Sequence, residues 1–427
     1  MSRPLGRDLL LLCLLLAIVP GGRAHAGGFT NFGPSARGTG MGGALMGSIG
    51  DPTSFLLNPA SLAYLSGTNF SFGATVMIPE QTFAGVAPAT AETKMQALVI
   101  FPPNIYVTHA FSGGWGLGLA VDIPYVAKTE WNPDWTGGRL ATKSDMRVVI
   151  ITPSFGIKVS DRLSVGIGIN LILPKVLYEQ RIPVTMPGSQ TPLSVPDAYS
   201  TYEAGGGINL GVQAGVLFKP FSNLSLGASY RSHVGVDLES GQLTYRGVPD
   251  SMTSQYPAGN FSTTFAIPAQ LMAGASWQPL SWFTAAADIE YSTWSQFKSL
   301  DISYSNPSRP AVTVQQLWKN TVNTKFGVEF DFGEIIVRGG IRRQKTPIPT
   351  QTLTPGMPDA DATGYSVGFG YRVADGLLLD FAYLLIHYAD RVVTDSSIPY
   401  NNGGDGFNGT YTAQTNAIAL NVRYSWN

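Results

Sequence analysis

Between Phe70 and Trp426 a period of two returns in segment after segment. Phe70, Phe72, Ala74, Val76 and Ile78 alternate with Ser71, Gly73, Thr75 and Met77, and Trp115, Leu117, Leu119, Val121 and Ile123 with Gly114, Gly116, Gly118, Ala120 and Asp122. The pattern recurs over residues 163–173, 208–218, 271–277, 283–291, 326–332, 365–371, 377–385 and 418–426. Such a period makes strands with one apolar face and one small or polar face. With weaker segments it predicts about fourteen strands, an even number that suits an antiparallel transmembrane β-barrel. Composition agrees: only 13% of the 427 residues are charged, yet the mean hydropathy is +0.09. Lipid-facing and lumen-facing residues cancel in any such average. The uncharged span 97–121 is long enough for a membrane helix, but Pro102-Pro103 and Gly113-Gly114 divide it into strand, turn, strand.

The rest of the pattern fits a barrel better than a soluble sandwich. Trp277, Trp282, Tyr291, Trp294, Tyr371, Tyr383, Tyr424 and Trp426 gather at strand ends, as membrane girdles do. Residues 160–162, 221–223 and 374–376 suit tight periplasmic turns, and the polar stretches 183–203, 240–262, 304–319, 344–363 and 392–415 suit extracellular loops. Asp122, Asp288, Glu290, Glu329, Asp331, Arg338, Arg342, Arg372, Asp380 and Arg423 fall opposite the aliphatic face, so they point into the lumen. An ion-pair network tying wall to wall or wall to plug is their expected role.

Two N-terminal regions stand apart. Residues 1–26 have a basic start (Arg3, Arg7), an apolar run too short to span a membrane, and Ala24-His25-Ala26 before Gly27, the layout of a secretory signal peptide. Cys13, the single cysteine, lies within it, so disulfides and cysteine-based sites are excluded from the exported chain. Residues 27–66 are rich in Gly, Ala and Ser, poor in charge, and too few to bury a core alone. They are predicted to be a plug enclosed by the barrel formed by residues 67–427.

Within the plug, Ser35-Ala36-Arg37-Gly38 with its Gly/Ala run, and Asn58-Pro59-Ala60-Ser61-Leu62, resemble the N-terminal hatch of the FadL family of outer-membrane transporters. Further resemblance lies in Asp122-Ile123-Pro124-Tyr125, in 129–147, in 265–269, in 288–295, in 338–349 and in Pro358-Asp359-Ala360-Asp361. One departure is the end, where Asn427 follows Trp426; such barrels commonly finish on an aromatic residue read by the barrel-assembly machinery. The resemblance implies a monomeric channel in the outer membrane of a Gram-negative bacterium, in contact with its lipid. It further implies passive uptake of hydrophobic small molecules, long-chain fatty acids first and aromatic hydrocarbons or alkanes as the alternative. Cargo would be captured in an apolar lumen pocket, the hatch would move, and exit would be sideways through the wall. Phe29, Arg37, Asn58, Pro59 and Ala60 are the hatch candidates. Gly114, Gly116 and Gly118 are the candidates for the lateral opening, and Arg139, Lys143 and Arg147 for a carboxylate head group, because a buried carboxylate needs a cation.

Other signals weigh against rival functions. A polar-solute porin would need an open lumen, and a lipid-modifying enzyme a wall-mounted His beside a Ser; His109 and Ser112 are the nearest pair. Gly38 to Gly43 fits G-x-G-x-x-G, but no apolar strand precedes it and no ribose-binding acid follows at the required spacing. His109, His233 and His387 lack metal-ligand spacing, so no metal or cofactor is expected. The net charge of −1 indicates no basic face for nucleic acid.

Overall fold

The computed structural model describes residues 33–87, 90–185, 193, 195–400 and 406–426. Residues 1–26, read above as a signal peptide, and Phe29 lie outside the described residues. Fourteen strands make the wall: β1 Thr68–Gly85, β2 Pro103–Phe111, β3 Trp115–Glu130, β4 Lys143–Lys158, β5 Leu163–Ile182, β6 Asn209–Phe221 and β7 Leu224–Arg231 in the first half. The second half comprises β8 Gln270–Leu280, β9 Phe283–Ser292, β10 Thr321–Asp331, β11 Ile335–Gln344, β12 Ala362–Ala374, β13 Leu377–Tyr388 and β14 Gly409–Trp426. Each pairs antiparallel with the one before it. β14 then pairs with β1 from Thr68↔Trp426 to Gly85↔Gly409, which closes the barrel.

The period of two explains the radial order. Phe72, Ile167, Leu210, Leu271, Val367 and Leu420 are exposed on the outer surface, while Ser71, Asn170, Gln213, Arg338, Asp380 and Asn421 are buried inside. A soluble sandwich would show the reverse. Residues 113–114, 160–162, 222–223 and 375–376 form the tight turns at the end of the barrel that also carries Thr68 and Trp426, the periplasmic end.

At the other end the predicted loops are partly wall. Ala198–Gly205, Val234–Arg246 and Gly259–Ile267 continue the ladder above the membrane strands, as do Ser299–Tyr304 and Val312–Gln315. Their Ser and Thr content reads as loop, but continuing the sheet satisfies the backbone of these long excursions.

Candidate functional site

The lumen has two levels. At the periplasmic level sits the plug: a helix Ala36–Gly40 and two 3₁₀ turns, Ser54–Leu56 and Pro59–Tyr64. Ser35 caps the helix by accepting from Gly38 N, and Asn58 caps the last turn by accepting from Ala60 N, with Pro59 in the first position where no N–H is needed. Asn58 is fully buried and also donates to Met46 O and to Val216 O of β6, so one side chain fastens the plug to itself and to the wall. Ala60 O accepts from Ser164, and Ala36 N donates to Asn421. Asp288 of β9 accepts from the backbone N–H of Leu45 and Met46.

Charge completes the attachment. Arg37 reaches Asp51 at 2.6 Å and Glu329 at 2.8 Å; Arg338 reaches Glu329 at 2.6 Å and Asp380 at 2.7 Å. Arg423 stands 3.6 Å from Asp51 and 3.7 Å from Asp380, closing a loop of six charges from plug to wall and back. Burial pushes the Asp51 carboxyl up, but Arg37 and Arg423 outweigh it and hold the group below its ordinary range. The expected ion-pair network is therefore present for Glu329, Arg338, Asp380 and Arg423. Asp331 and Arg372 instead pair with each other at the exposed periplasmic rim.

Bare backbone on the wall lets the plug come this close. A Cβ at Gly116 would meet Leu62 O at 2.8 Å, and one at Gly118 would meet Phe55 at 2.9 Å. Gly156, Gly166, Gly215, Gly227, Gly327 and Gly340 likewise face plug backbone or Asn58, and a Cβ on any of them would collide. This glycine belt on six further strands escaped the sequence reading, although inward glycine at successive strands was its signal.

Above the plug the lumen is apolar. Phe83, Met95, Tyr125, Trp131, Trp135, Met146, Val148, Phe261, Trp294, Trp318 and Phe407 belong to one buried cluster. Trp131 stacks on Trp135 with ring centres 4.3 Å apart, and Phe83 on Phe407 at 4.6 Å. Each indole N–H is satisfied locally, Trp131 by Pro355 O and Trp135 by Ala141 O, so the rings present only carbon to the interior.

The wall is interrupted beside this level. Gly116 and Gly118 are paired on both sides, with Ala110 and Thr108 of β2 and with Gly156 and Ser154 of β4. Gly114 lies in the turn before β3. The opening expected at these glycines is therefore not there. The ladder is lost farther up the same strand: β2–β3 pairing ends at Ile105↔Val121, and β3 bulges against β4 between Asp122 and Tyr125. The chain before β2 instead follows β1, through Ile100 with Met77 and Met95 with Gln81, and returns to β3 only at Gln96 N with Glu130 O. A slot is left along residues 122–129, next to a cavity of about 110 Å³ lined by Met77, Ile100, Val126, Ala127 and Met357 among others. Pro102, Pro103 and Pro124 border it, and each removes an N–H that lipid could not satisfy.

The three head-group candidates do not converge. On β4, Lys143 and Arg147 alternate with buried Ser144 and Met146, so they face outward; Arg147 is bound to Asp145 and Lys143 lies 3.5 Å from Glu130. Arg139 makes a two-pronged pair with Asp197, at 2.8 and 2.9 Å. The sequence placed them near the glycine-rich strand, but the period of β4 turns Lys143 and Arg147 away from the lumen, and Arg139 lies in the turn before it. Arg231, Lys325 and Arg342 border a space of about 80 Å³ between plug and wall that Asp122, Glu290, Leu56, Leu57 and Met272 also line.

Comparison with known proteins accords with this arrangement. Outer membrane protein P1 of Haemophilus influenzae is 22% identical over 98% of this chain and 99% of its own length. A long-chain fatty acid transport protein of Escherichia coli is 21% identical over 77% of this chain and 80% of its own. Among solved structures, a Pseudomonas aeruginosa FadL homologue superposes with a TM-score of 0.83 at 20% identity, covering 94% of this chain and all of the other. The Pseudomonas putida toluene transporter TodX gives 0.73 at 17%, over 93% and 99%. The model of the outer membrane protein transport family (OMPP1/FadL/TodX) matches residues 17–426. An outer-membrane barrel of Gram-negative type, built as a channel for hydrophobic molecules and not as an enzyme, this chain belongs to the FadL/TodX family of transport proteins.

Proposed function

We propose that this protein carries long-chain fatty acids passively across the outer membrane: capture in the apolar upper lumen, displacement of the plug, and exit sideways through the slot along residues 122–129. The apolar cluster directly above a polar plug carries this reading. An alkyl chain gains roughly 0.8 kcal/mol per methylene on leaving water, so the upper lumen binds it readily and the polar level below stops it. A sideways route avoids dragging that chain through six buried charges. The slot supports such a route because it opens beside the apolar level and is bordered by prolines that limit unpaired backbone.

Two substitutions test the exit. Ala127→Trp fills the slot, so uptake by cells should fall severalfold while purified protein keeps its cargo affinity and its heat-modifiable mobility. Gly116→Leu pushes on plug backbone, so plug seating and stability should fall together with uptake. Normal uptake by Ala127→Trp would sink the lateral route. Toluene accumulating in preference to fatty acid in cells expressing the protein would move the cargo to the hydrocarbons named for TodX.

A further inference from the structure

Three of the chain's ten methionines, Met77, Met95 and Met357, line the cavity of about 110 Å³ beside the slot. Its sixteen described lining residues would hold fewer than one methionine at the chain's average. Two of the three connect compartments. Met95 belongs to the apolar cluster of the upper lumen and Met357 packs against it, as does Ala127, while Met77 sits with Ile100 and Val126 in a separate cluster on the slot side. Cargo moving from the upper lumen to the slot therefore passes between thioethers. Methionine is unbranched with three rotatable bonds, so such a side chain can swing aside for an alkyl chain and swing back.

Met357 is not part of the wall. It lies in the segment 345–361 between β11 and β12, which dips into the lumen and buries Ile348 and Leu353 in the upper cluster. Two hydrogen bonds pin this segment to β3 at the rim of the slot: Thr129 Oγ1 donates to Gly356 O at 3.3 Å, and Trp131 Nε1 to Pro355 O at 3.0 Å. Among the described methionines Met357 alone is half-buried, and the other seven are buried. An oxidant arriving from outside meets this sulfur before Met95 or Met77. Hydrogen peroxide passes one oxygen to a thioether: the O–O bond breaks, an S–O bond forms from a sulfur lone pair, and water leaves. The sulfoxide oxygen is a polar acceptor set against an apolar cluster, so it needs a donor. Lys128 lines the same cavity, and among the described residues its ammonium makes no ion pair. Drawn to the sulfoxide, that ammonium places a charge in the doorway an alkyl chain must cross.

We propose that Met357 is an oxidation site that controls the lateral exit: as the thioether it lets apolar cargo into the slot, and as the sulfoxide, paired with Lys128, it shuts the slot while the upper lumen still binds. Reduction by a methionine sulfoxide reductase reopens it. This rests on the uptake reading above and adds regulation to it.

The test begins with the purified full chain, titrated with hydrogen peroxide and mapped by peptide mass spectrometry. Met357 should gain oxygen before Met77, Met95 and Met146, with laurate binding and heat-modifiable mobility retained. In cells expressing the protein, a brief peroxide pulse should cut laurate uptake severalfold. Each variant is compared with its own untreated cells. The fraction lost should be far smaller in Met357→Leu, which has a similar volume and no sulfur, and smaller in Lys128→Ala. Met357→Gln, which carries a permanent polar oxygen, should show low uptake without peroxide. Earlier oxidation of the buried methionines, an equal fractional loss in wild type and in either of the first two variants, normal uptake by Met357→Gln, or loss of laurate binding together with uptake would each overturn the assignment. Failure of the uptake reading looks different: Ala127→Trp then takes up laurate normally with no peroxide present.

Discussion

The two levels of the lumen are built from the same kind of strand and solve opposite problems. At the plug level inward positions hold Gly, Asn, Asp and Arg; at the upper level they hold Phe, Trp, Met and Val. The lower level is specific: Asn58 and the six-charge loop each engage a fixed set of partners, and bare glycines leave no tolerance for displacement. The upper level is unspecific, since stacked rings with satisfied N–H groups can shift against a flexible chain without losing hydrogen bonds. A channel for oily cargo needs both: adaptable binding above, and below it a barrier that leaves only by exchanging defined partners.

Removing the barrier should give the largest effect. Deletion of residues 33–65 should leave a folded barrel whose planar-bilayer conductance exceeds that of the intact protein by more than an order of magnitude. Equal conductance would mean that the lower level does not seal. Breaking the charge loop comes next. Glu329→Gln leaves Arg37 with Asp51 alone and Arg338 with Asp380 alone, so the cost should approach but not exceed the about 3 to 5 kcal/mol of a buried charge left wholly unpaired. The denaturant midpoint should fall accordingly, whereas a conservative swap in the upper cluster, such as Met146→Leu, should cost under ~1.5 kcal/mol.

Acid should act on the lower level only. The Asp51 carboxyl is depressed by Arg37 and Arg423, so its contribution is complete above its ordinary pKa and is lost as pH falls through the depressed value. Hydrogen exchange in the plug should accelerate below about pH 4, and Asp51→Asn should remove that dependence. The smallest effect belongs outside the lumen. The pair Arg147–Asp145 is half exposed, so Arg147→Ala should cost under ~1 kcal/mol and leave laurate binding unchanged; a selective loss of laurate binding would return Arg147 to the head-group site.

The barrel, its lumen-facing charges and the enclosed plug segment were legible because each follows from local period or composition. Partners were not. Arg37 and Glu329 lie 292 positions apart, and nothing local to either names the other. The slot was hidden for a different reason: β3 shifts phase at the bulge between Asp122 and Tyr125 and runs on as strand, and side-chain alternation reports which face a residue takes, not whether a neighbouring strand is paired. Pro102, Pro103 and Pro124 were the available sign, and the first two read as a turn. Arg231 gave no local warning either, since a single arginine ending a strand looks like any rim charge until its neutral partners are seen.

The β1–β14 seam bears on how the molecule comes to exist. Its eighteen residue pairs join the first wall strand to the last, so the ring stays open until the whole chain is available. Contacts of such sequence separation form late and slowly. The plug, ahead of β1 in the chain, fits against glycine backbone with no clearance, so sealing an already finished ring around it demands that it be in place first. The N-terminal segment is then the mandrel on which the wall is curled, and a variant that loosens it should be seen first as slow or failed insertion and only afterwards as a leak.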